Sequence, residues 1–537
     1  MPDGFDYDYV VVGSGFGGSV ASLRLVRKGY KVLTIEQGRR FQAEDFPRTN
    51  RRINKWLWFP LLGWRGPFRM AFFRHVGIFS GVGVGGGSLV YASTLPVPGD
   101  GFFSTGSWAR LRNWKKELEP WYQTARRMLG AAPQKYDTTA DQVMRSVAKD
   151  MGIEESFERP WVSVFQGEPD VTVPDPYFDG EGPERRGCNQ CARCMLGCPN
   201  NAKNTLDKNY LWLAEKAGLE IRPDTCVTGI RPLPGAGYAI ESQGTGWRGR
   251  RAAPIRARGV VLAGGVLGTL KLLLRMQQKP RYLPRLSPRL GESIRTNNES
   301  LIGVVSLRKD MEFASGVTIT SILKTDEHSH VEPVRFNPGS NLFRAFMSPH
   351  APGRTLPVRL ARGLLCFMRQ PHLWWRSLFI RDFATRSIVL LYMRSLEGTL
   401  RFRLGRHPLP GFRRILKTSV TAGAAPTSFM QEATDLARRV AARTGGIVAS
   451  MFTETLLNIP TTAHILGGCC MGTSADDGVI DHRHRVFGYD DLYVVDGSAV
   501  SANPGVNPSL TITAMAERAM DYIPARAARD LEEKQIS

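Results

Sequence analysis

Four cysteines in residues 188–198 have a spacing that suits metal binding. They form the pattern Cys188-x2-Cys191-x2-Cys194-x3-Cys198, which is followed by Pro199. Bacterial ferredoxins use this spacing to bind iron–sulfur clusters, with three thiolates on one cubane and the fourth on a second cluster. The pattern therefore predicts an iron–sulfur cluster. Zinc is disfavoured because its sites usually join two separated pairs across a longer loop. A cysteine loop without metal is the remaining alternative.

The fourth ligand of such a cluster is not defined by the spacing. The sequence has no second cysteine run, so the fourth thiolate would come from Cys198 or from a remote residue, namely Cys226, Cys469 or Cys470. Cysteines crowded in this way do not resemble the disulfide framework of a secreted protein.

A glycine-rich turn near the start of the chain suits a dinucleotide. Gly13-x-Gly15-x-x-Gly18 follows an apolar run and precedes a helical segment, and the next predicted strand ends at Glu36. The glycines allow a tight turn and let a pyrophosphate approach the helix N-terminus. Glu36 would accept hydrogen bonds from both ribose hydroxyls and would repel a 2′-phosphate. The turn does not distinguish NAD from FAD.

The elements around this turn predict a parallel sheet. A strand over Asp6–Val12, a helix over Ser19–Lys28 and a strand over Lys31–Ile35 form a β-α-β unit. Similar apolar strands are predicted at Gly259–Leu262, before Ala263-Gly264-Gly265, and at Asp491–Val495, before Asp496-Gly497-Ser498. Strands that end in small-residue turns place a ligand at the carboxyl edge of the sheet.

The predicted fold is α/β (α+β), with a Rossmann-like nucleotide-binding domain assembled from discontinuous segments. A substrate domain with a mixed or antiparallel sheet completes it. The nucleotide-binding domain is predicted over 1–100, 188–300 and 455–523, the substrate domain over 101–187 and 301–454, and a C-terminal tail over 524–537.

A second glycine run identifies the class of cofactor. Gly81–Val90 is too rich in glycine for a strand or helix interior and suits backbone pressed against a planar or phosphate-bearing ligand. Together with His464–Cys469 and Asn503–Ala514, it resembles the glucose–methanol–choline oxidoreductases, and within them the cholesterol-oxidase branch. The resemblance runs from Tyr9 to about Glu517 and is looser across 101–185 and 300–455.

The resemblance implies FAD, and it implies oxidation of an apolar alcohol such as a sterol or long-chain alcohol. His464 would accept the hydroxyl proton and Asn507 would orient the hydroxyl, because imidazole titrates near neutrality and an amide stabilises an oxyanion. The alternative for His464 is a hydrogen-bonded core histidine, while His482 and His484 are predicted at the surface. The implied cofactor residues are Gly13, Gly15, Phe16, Gly17, Gly18, Glu36, Gly83, Gly86, Gly87, Ser88, Val227, Ala263, Asp496, Gly497, Asn507 and Pro508.

Two other functions agree with the same motifs. One is a sugar or polyol oxidase of this family, and the other is a flavin electron-transfer or lipid-binding protein without turnover. If the cysteines held a cluster, electrons would leave the reduced flavin singly for an electron-carrier protein instead of dioxygen.

One feature departs from the cholesterol-oxidase pattern. Those enzymes carry a glutamate for double-bond isomerisation, whereas the comparable stretch Thr385–Tyr392 offers Arg386 and no acid. The sequence therefore supports neither isomerisation nor cholesterol itself as substrate.

The charge and the aromatic residues suggest a lipid partner. The formal net charge is +22, and no nucleic-acid-binding module is present. Aromatic and basic residues alternate in Arg51–Arg74 and Leu360–Phe383, which suits an interfacial surface. The alternative is a core-covering loop with a solvated basic face. Without a signal peptide or membrane span, the sequence predicts a cytoplasmic protein with peripheral contact at the inner membrane face.

Overall fold

The computed structural model describes residues 4–246, 249–353, 355–406, 414–423, 425–529 and 531. Its α-helices are α1 Phe16–Arg27, α2 Ile53–Trp56, α3 Asp100–Ser104, α4 Trp114–Met128, α5 Thr139–Asp150, α6 Tyr210–Lys216, α7 Gly265–Gln277, α8 Leu356–Arg369, α9 Pro371–Leu378, α10 Phe383–Arg386, α11 Gln431–Thr444, α12 Phe452–Leu457 and α13 Ser509–Asp521.

The strands begin with β1 Tyr7–Val12, β2 Val32–Ile35, β3 Trp58–Phe59, β4 Trp64–Arg65, β5 Phe68–Phe72, β6 Gly77–Gly81, β7 Ala132–Pro133, β8 Phe157–Glu158, β9 Trp161–Val162, β10 Thr172–Val173, β11 Arg185–Arg186 and β12 Glu220–Arg222. They continue with β13 Thr225–Pro232, β14 Tyr238–Gly244, β15 Ile255–Leu262, β16 Ser300–Ser306, β17 Ile322–Lys324, β18 Ser329–Val334, β19 Met347–Pro349, β20 Ser387–Arg394, β21 Thr399–Gly405, β22 Ile415–Ala422, β23 Gly446–Met451, β24 Thr461–Thr462 and β25 Leu492–Val494.

The first sheet joins the two ends of the chain to its middle. Its order is β12-β2-β1-β15-β14-β13, and β25 pairs with β15. The pairings among β12, β2, β1, β15 and β25 are parallel, so the carboxyl ends of these strands lie at one edge. Val10, Val11, Val260 and Val261 are fully buried, as expected for strands covered on both faces. The predicted Rossmann-like α/β fold is confirmed.

A second, antiparallel sheet has the order β19-β23-β16-β20-β18-β17-β8. Helices α5 and α11 pack against it through a shared cluster of buried apolar residues. Nearly all of its strands come from the part of the chain that the sequence assigns to a substrate domain. The exact domain boundaries stay a prediction, and residues 530 and 532–537 of the predicted tail lie outside the described residues.

A small three-stranded ribbon connects the second glycine run to the segment that carries His464. Its order is β24-β6-β5, with β24 parallel to β6. Strand β6 ends at Gly81, where the second glycine run begins, and β24 ends two residues before His464. The ribbon therefore fixes the position of His464 relative to the glycines.

Candidate active site

The first glycine turn requires glycine because backbones approach closely there. Gly13 has a φ of 103°, and a Cβ on it would lie 2.3 Å from the Ala263 carbonyl oxygen. A Cβ on Gly17 would lie 1.9 Å from the carbonyl oxygen of Val495, and one on Gly18 would lie 2.0 Å from that of Gly13. The turn therefore holds the N-terminus of α1 against the carboxyl ends of β15 and β25.

Glu36 lies at the end of β2 with its carboxylate already oriented. It accepts hydrogen bonds from Ser14 N at 3.1 Å, from Ser14 Oγ at 2.9 Å and from Gly38 N at 2.9 Å. Burial raises the pKa of Glu36, while these hydrogen bonds act in the opposite direction. A carboxylate fixed at this strand end is suited to accept ribose hydroxyls.

The second glycine run packs directly onto the first. A Cβ on Gly86 would lie 2.6 Å from the Gly15 Cα, so a side chain there would separate the two loops. Gly83 has a φ of 137°, which an L residue rarely adopts. The Ser88 Oγ donates to the Gly85 carbonyl at 2.7 Å and accepts from Leu206 N at 3.0 Å. Ser88 therefore stabilises the conformation of the loop on the side away from the cavity.

Both glycine regions border a cavity of about 430 Å³. The predicted cofactor residues that line it are Gly13, Gly15, Phe16, Gly17, Glu36, Gly86, Gly87, Val227, Ala263, Asp496, Gly497, Asn507 and Pro508. Gly18, Gly83 and Ser88 do not line the cavity. Added Cβ atoms on Gly265 and Gly268, which also border the cavity, would meet no atom within 4 Å. This open cradle, with a carboxylate at the strand end and helix N-termini at its edge, fits FAD.

His464 and Asn507 lie next to each other in the wall of this cavity. The His464 Nδ1 is hydrogen-bonded to Glu299 Oε1, and Glu299 also accepts from Ala463 N at 3.2 Å. The Asn507 Nδ2 lies 3.4 Å from His464 Nε2 and donates to Glu332 at 3.1 Å. Because Nδ1–H donates its hydrogen bond to Glu299, the lone pair lies on Nε2, which faces the Asn507 amide and can accept a proton. His464 is therefore oriented for proton transfer.

Two atoms of this cluster lack hydrogen-bond partners within the described part of the chain. They are Asn507 Oδ1 and Glu332 Oε1, and both are buried. Leaving a buried acceptor unsatisfied costs about 1–3 kcal/mol.

The electrostatics of His464 depend on the neighbouring carboxylates. Burial alone lowers the pKa of His464, but the charge of Glu299 and its hydrogen bond outweigh burial, and Glu332 adds to the effect. The net pKa is raised above that of an ordinary histidine. His464 therefore loses its proton, and becomes able to accept one, only at a pH above that at which an ordinary histidine becomes neutral.

In this region one functional candidate was missed from the sequence, and one prediction is wrong. Thr385–Tyr392 holds no acid, but Glu332 on the neighbouring strand β18 faces Asn507, so an acid is present at the site. In β18, Glu332 lies between Val331 and Pro333, and this carboxylate between apolar neighbours in a strand could have indicated the acid. His484 is 1% exposed and its Nδ1 bonds to the Val494 carbonyl at 2.7 Å, so it is not a surface residue.

The cysteine run does not fit an iron–sulfur cluster. Cys188, Cys191, Cys194 and Cys198 surround a cavity of about 10 Å³, which is room for about one water molecule. Among the described residues, no group of three or more His, Cys, Asp or Glu side chains is arranged to hold a metal ion. Cys226, one remote ligand candidate, lines the large cavity instead. The predicted electron-carrier partner depended on the cluster and loses its basis.

Replacing Glu299 tests the electrostatics of His464. In Glu299→Gln the hydrogen bond is retained but the charge is lost, so the pKa of His464 should fall. NMR titration of the histidine ring protons measures this directly. The resonance of His484, whose pKa burial lowers to about 4, serves as the internal control. An unchanged His464 titration would show that Glu299 does not set its charge.

Comparison with known proteins agrees with this geometry. Residues 403–516 match the family model "GMC oxidoreductase", and residues 11–55 match "NAD(P)-binding Rossmann-like domain". A cholesterol oxidase of Acinetobacter baumannii is 40% identical over 97% of this chain and 95% of its own length. A cholesterol oxidase of Mycobacterium tuberculosis is 42% identical over 98% of this chain and 92% of its own.

The fold has a counterpart among solved structures. Pyridoxine 4-oxidase from Mesorbium loti superposes with a TM-score of 0.60 at 16% identity, covering 96% of this chain and 99% of that one. This likeness concerns the fold alone. The near-full-length relatives above 30% identity show more: the chain belongs to the GMC oxidoreductase family and is an FAD-dependent oxidoreductase that acts on CH–OH donors.

Proposed function

We propose that this enzyme oxidises the CH–OH group of an apolar alcohol, a sterol or a long-chain alcohol. The observation that carries the proposal is His464 Nε2 beside Asn507 in the wall of a cavity with an apolar far end. When bound, FAD supplies the acceptor for the hydride that leaves the carbinol carbon. His464 accepts the hydroxyl proton, so the products are a carbonyl compound and a protonated imidazole.

Asn507 orients the hydroxyl in this proposal. Its amide nitrogen donates to Glu332 and lies 3.4 Å from His464 Nε2, so its second N–H can donate to the hydroxyl oxygen while the hydroxyl proton passes to Nε2. Glu299 holds the imidazole so that Nε2 is the proton acceptor. Fixing both groups before substrate arrives avoids reorganisation during the reaction.

The walls of the cavity favour an apolar substrate over a sugar. Beyond His464, the antiparallel sheet and its neighbours contribute Phe336, Phe343, Phe346, Met347, Phe383 and Leu391. A sugar or polyol would leave its hydroxyls without partners on these side chains, which is costly in a buried site. The cholesterol oxidases at 40% and 42% identity support the same substrate class.

Removing the base tests the proposal most directly. His464→Ala should retain FAD but slow its anaerobic reduction by a sterol or long-chain alcohol about 10²–10⁴-fold, the usual contribution of a general base. Stopped-flow absorbance of the flavin measures this rate. His482→Ala, a half-exposed histidine outside the cavity, is the matched control and should reduce at the normal rate. Equal rates in both variants would contradict the assignment.

Glu332 gives the site a group for double-bond isomerisation. Oxidation of a 3-hydroxysterol with a double bond at C5 yields an unconjugated ketone, and moving one proton across the ring brings the double bond into conjugation. We propose that the Glu332 carboxylate carries this proton, because it is buried beside Asn507 and its Oε1 accepts no hydrogen bond from the described residues, with His330 Nε2 at 3.5 Å.

Substitution of Glu332 separates the two reactions. Glu332→Gln keeps the shape and removes the base, so conjugated ketone should form about 10²–10⁴-fold more slowly while flavin reduction falls far less. Product analysis by ultraviolet absorbance and chromatography distinguishes the two ketones. Normal formation of conjugated product in this variant would exclude Glu332 from the isomerisation.

We also propose that α8 and α9 contact anionic lipid. Leu360, Leu364 and Met368 repeat every four residues on α8 and are exposed, as is Phe379 just after α9. No acidic residue occurs between residues 355 and 381, while arginines recur throughout. None of the described helices has the length and apolar character that crossing a bilayer requires. Helices α8 and α9 therefore suit the surface of a membrane.

Of the two adjacent tryptophans in α9, one is exposed at this surface and the other is buried. Trp375 is 62% exposed, whereas Trp374 is 7% exposed and packs with Phe383 and Met347, both of which line the cavity. Trp374 therefore does not contribute to the exposed surface of this segment. In the first aromatic segment, Trp56 is also buried and lines the cavity.

Vesicle binding tests the lipid contact. Each exposed aromatic contributes about 1.5–3 kcal/mol when buried, so Trp375→Ala/Phe379→Ala should bind vesicles of phosphatidylcholine and phosphatidylglycerol at least tenfold more weakly in flotation assays. Trp212→Ala, on α6 against α1, is the control and should bind normally. Binding should also weaken with salt. Unchanged flotation of the double variant would overturn the proposal.

A further inference from the structure

The cysteine-rich loop reaches the cavity through Met195. This residue lies in the 3-10 turn Cys194–Leu196 and lines the cavity. It packs against a small apolar cluster that includes Ile319, Val334 and Leu391, which line the same cavity. Met195 is thus the point at which the cysteine loop meets the space where an apolar alcohol would lie.

Backbone contacts hold this loop in place on one side. Ala192 N donates to the Gly316 carbonyl at 3.1 Å, and Gly316 N donates to the Gln190 carbonyl at 3.0 Å. A Cβ on Gly197, whose φ is 97°, would lie 1.9 Å from the Phe46 ring. The loop therefore cannot shift without repacking its neighbours.

A buried lysine holds the other side. Lys203 is 1% exposed, and its Nζ donates to the carbonyl of Cys194 at 2.8 Å and to that of Leu89 at 3.1 Å. The first of these carbonyls belongs to the peptide that joins Cys194 to Met195. The second belongs to the glycine-rich loop of the cofactor cradle. Lys203 therefore fixes Met195 relative to that cradle.

The thiols contribute apolar packing to the same arrangement. Cys188 and Cys194 form a buried cluster with Val162, Val164, Ala202 and Val317, and Cys198 packs against it. An unligated cysteine behaves as a small apolar residue in such a cluster. Three of the four thiols, those of Cys188, Cys194 and Cys198, thus pack against apolar neighbours beside the 3-10 turn.

We propose that Met195 is a specificity-determining residue, and that the cysteine loop holds it by thiol packing without a metal. The inference rests on the proposed oxidation of an apolar alcohol. The flexible thioether of Met195 forms part of the wall against which the body of the substrate packs, while His464 and Asn507 hold the hydroxyl. Its size then decides between a broad ring system and a narrow chain.

Substrate preference is the test. Met195→Ala and Met195→Phe holoenzymes should change the ratio of kcat/KM for a sterol over a linear long-chain alcohol by about tenfold or more, in opposite directions, since apolar pockets discriminate methylene-sized differences by about 10–200-fold. FAD content and Tm should stay normal. Met311→Ala, a methionine outside the cavity, is the control and should keep the wild-type ratio.

A binding measurement separates this inference from the proposed function. A steroid ketone and a long-chain aldehyde are titrated into each holoenzyme, and the change in flavin absorbance reports binding without turnover. A ratio of the two dissociation constants that stays within twofold of wild type in both Met195 variants would overturn the inference. If the wild type binds both probes but no alcohol reduces its flavin, the proposed oxidation fails instead.

Metal and thiol analysis tests the packing role. Iron and zinc in the protein purified without oxygen should be far below one atom per chain, and all eight cysteines should react with a thiol reagent after denaturation. Cys198→Ala should leave the metal content equally low, because no thiol is required to bind a metal. Stoichiometric iron or zinc that is lost in Cys198→Ala would overturn the metal-free role.

Discussion

The close contact between the two glycine-rich loops is the constraint on which the site depends. With Gly86 against Gly15, there is no room for a side chain between the turn that follows β1 and the run that follows β6. Strand β6 pairs with β24, and His464 N donates to the Thr462 Oγ1 at 2.8 Å. The position of His464 is therefore tied, through β24 and β6, to the glycine run that shapes the cofactor cradle.

Buried carboxylates give this geometry its chemical character. Glu299 and Glu332 are almost fully buried, which would be costly for unpartnered charges. Glu299 is compensated by the Nδ1–H of His464 and Glu332 by the amide of Asn507. Each acid thus stabilises one of the two groups proposed to handle the substrate hydroxyl. Removing either acid changes how its partner is charged or oriented, so the four side chains act as one unit.

The sequence alone allowed the local features to be predicted but not the long-range ones. The strands ending at Val12 and Leu262 were predictable because their apolar runs stop at small residues, and the strand ending at Ile35 because its run stops at Glu36. Glu299 was missed because it pairs with a residue 165 positions away, and Glu332 because strand pairing brings it to the site. The cysteine spacing predicted a cluster, but spacing alone does not reveal whether the thiols leave space for metal.

Trp374 and Trp375 show how one element can serve both the cavity and the surface. They are adjacent in the chain, yet Trp374 packs behind the cavity wall while Trp375 faces outward. Helix α8 is held to α12 by Arg359, which donates to the Thr455 carbonyl at 2.6 Å. The exposed apolar face of α8 and α9 is therefore carried on helices that are fixed to the rest of the protein through α8. An apolar alcohol dissolves poorly in water, so under the proposed function a lipid-facing surface backed by the cavity wall would place the substrate source close to His464.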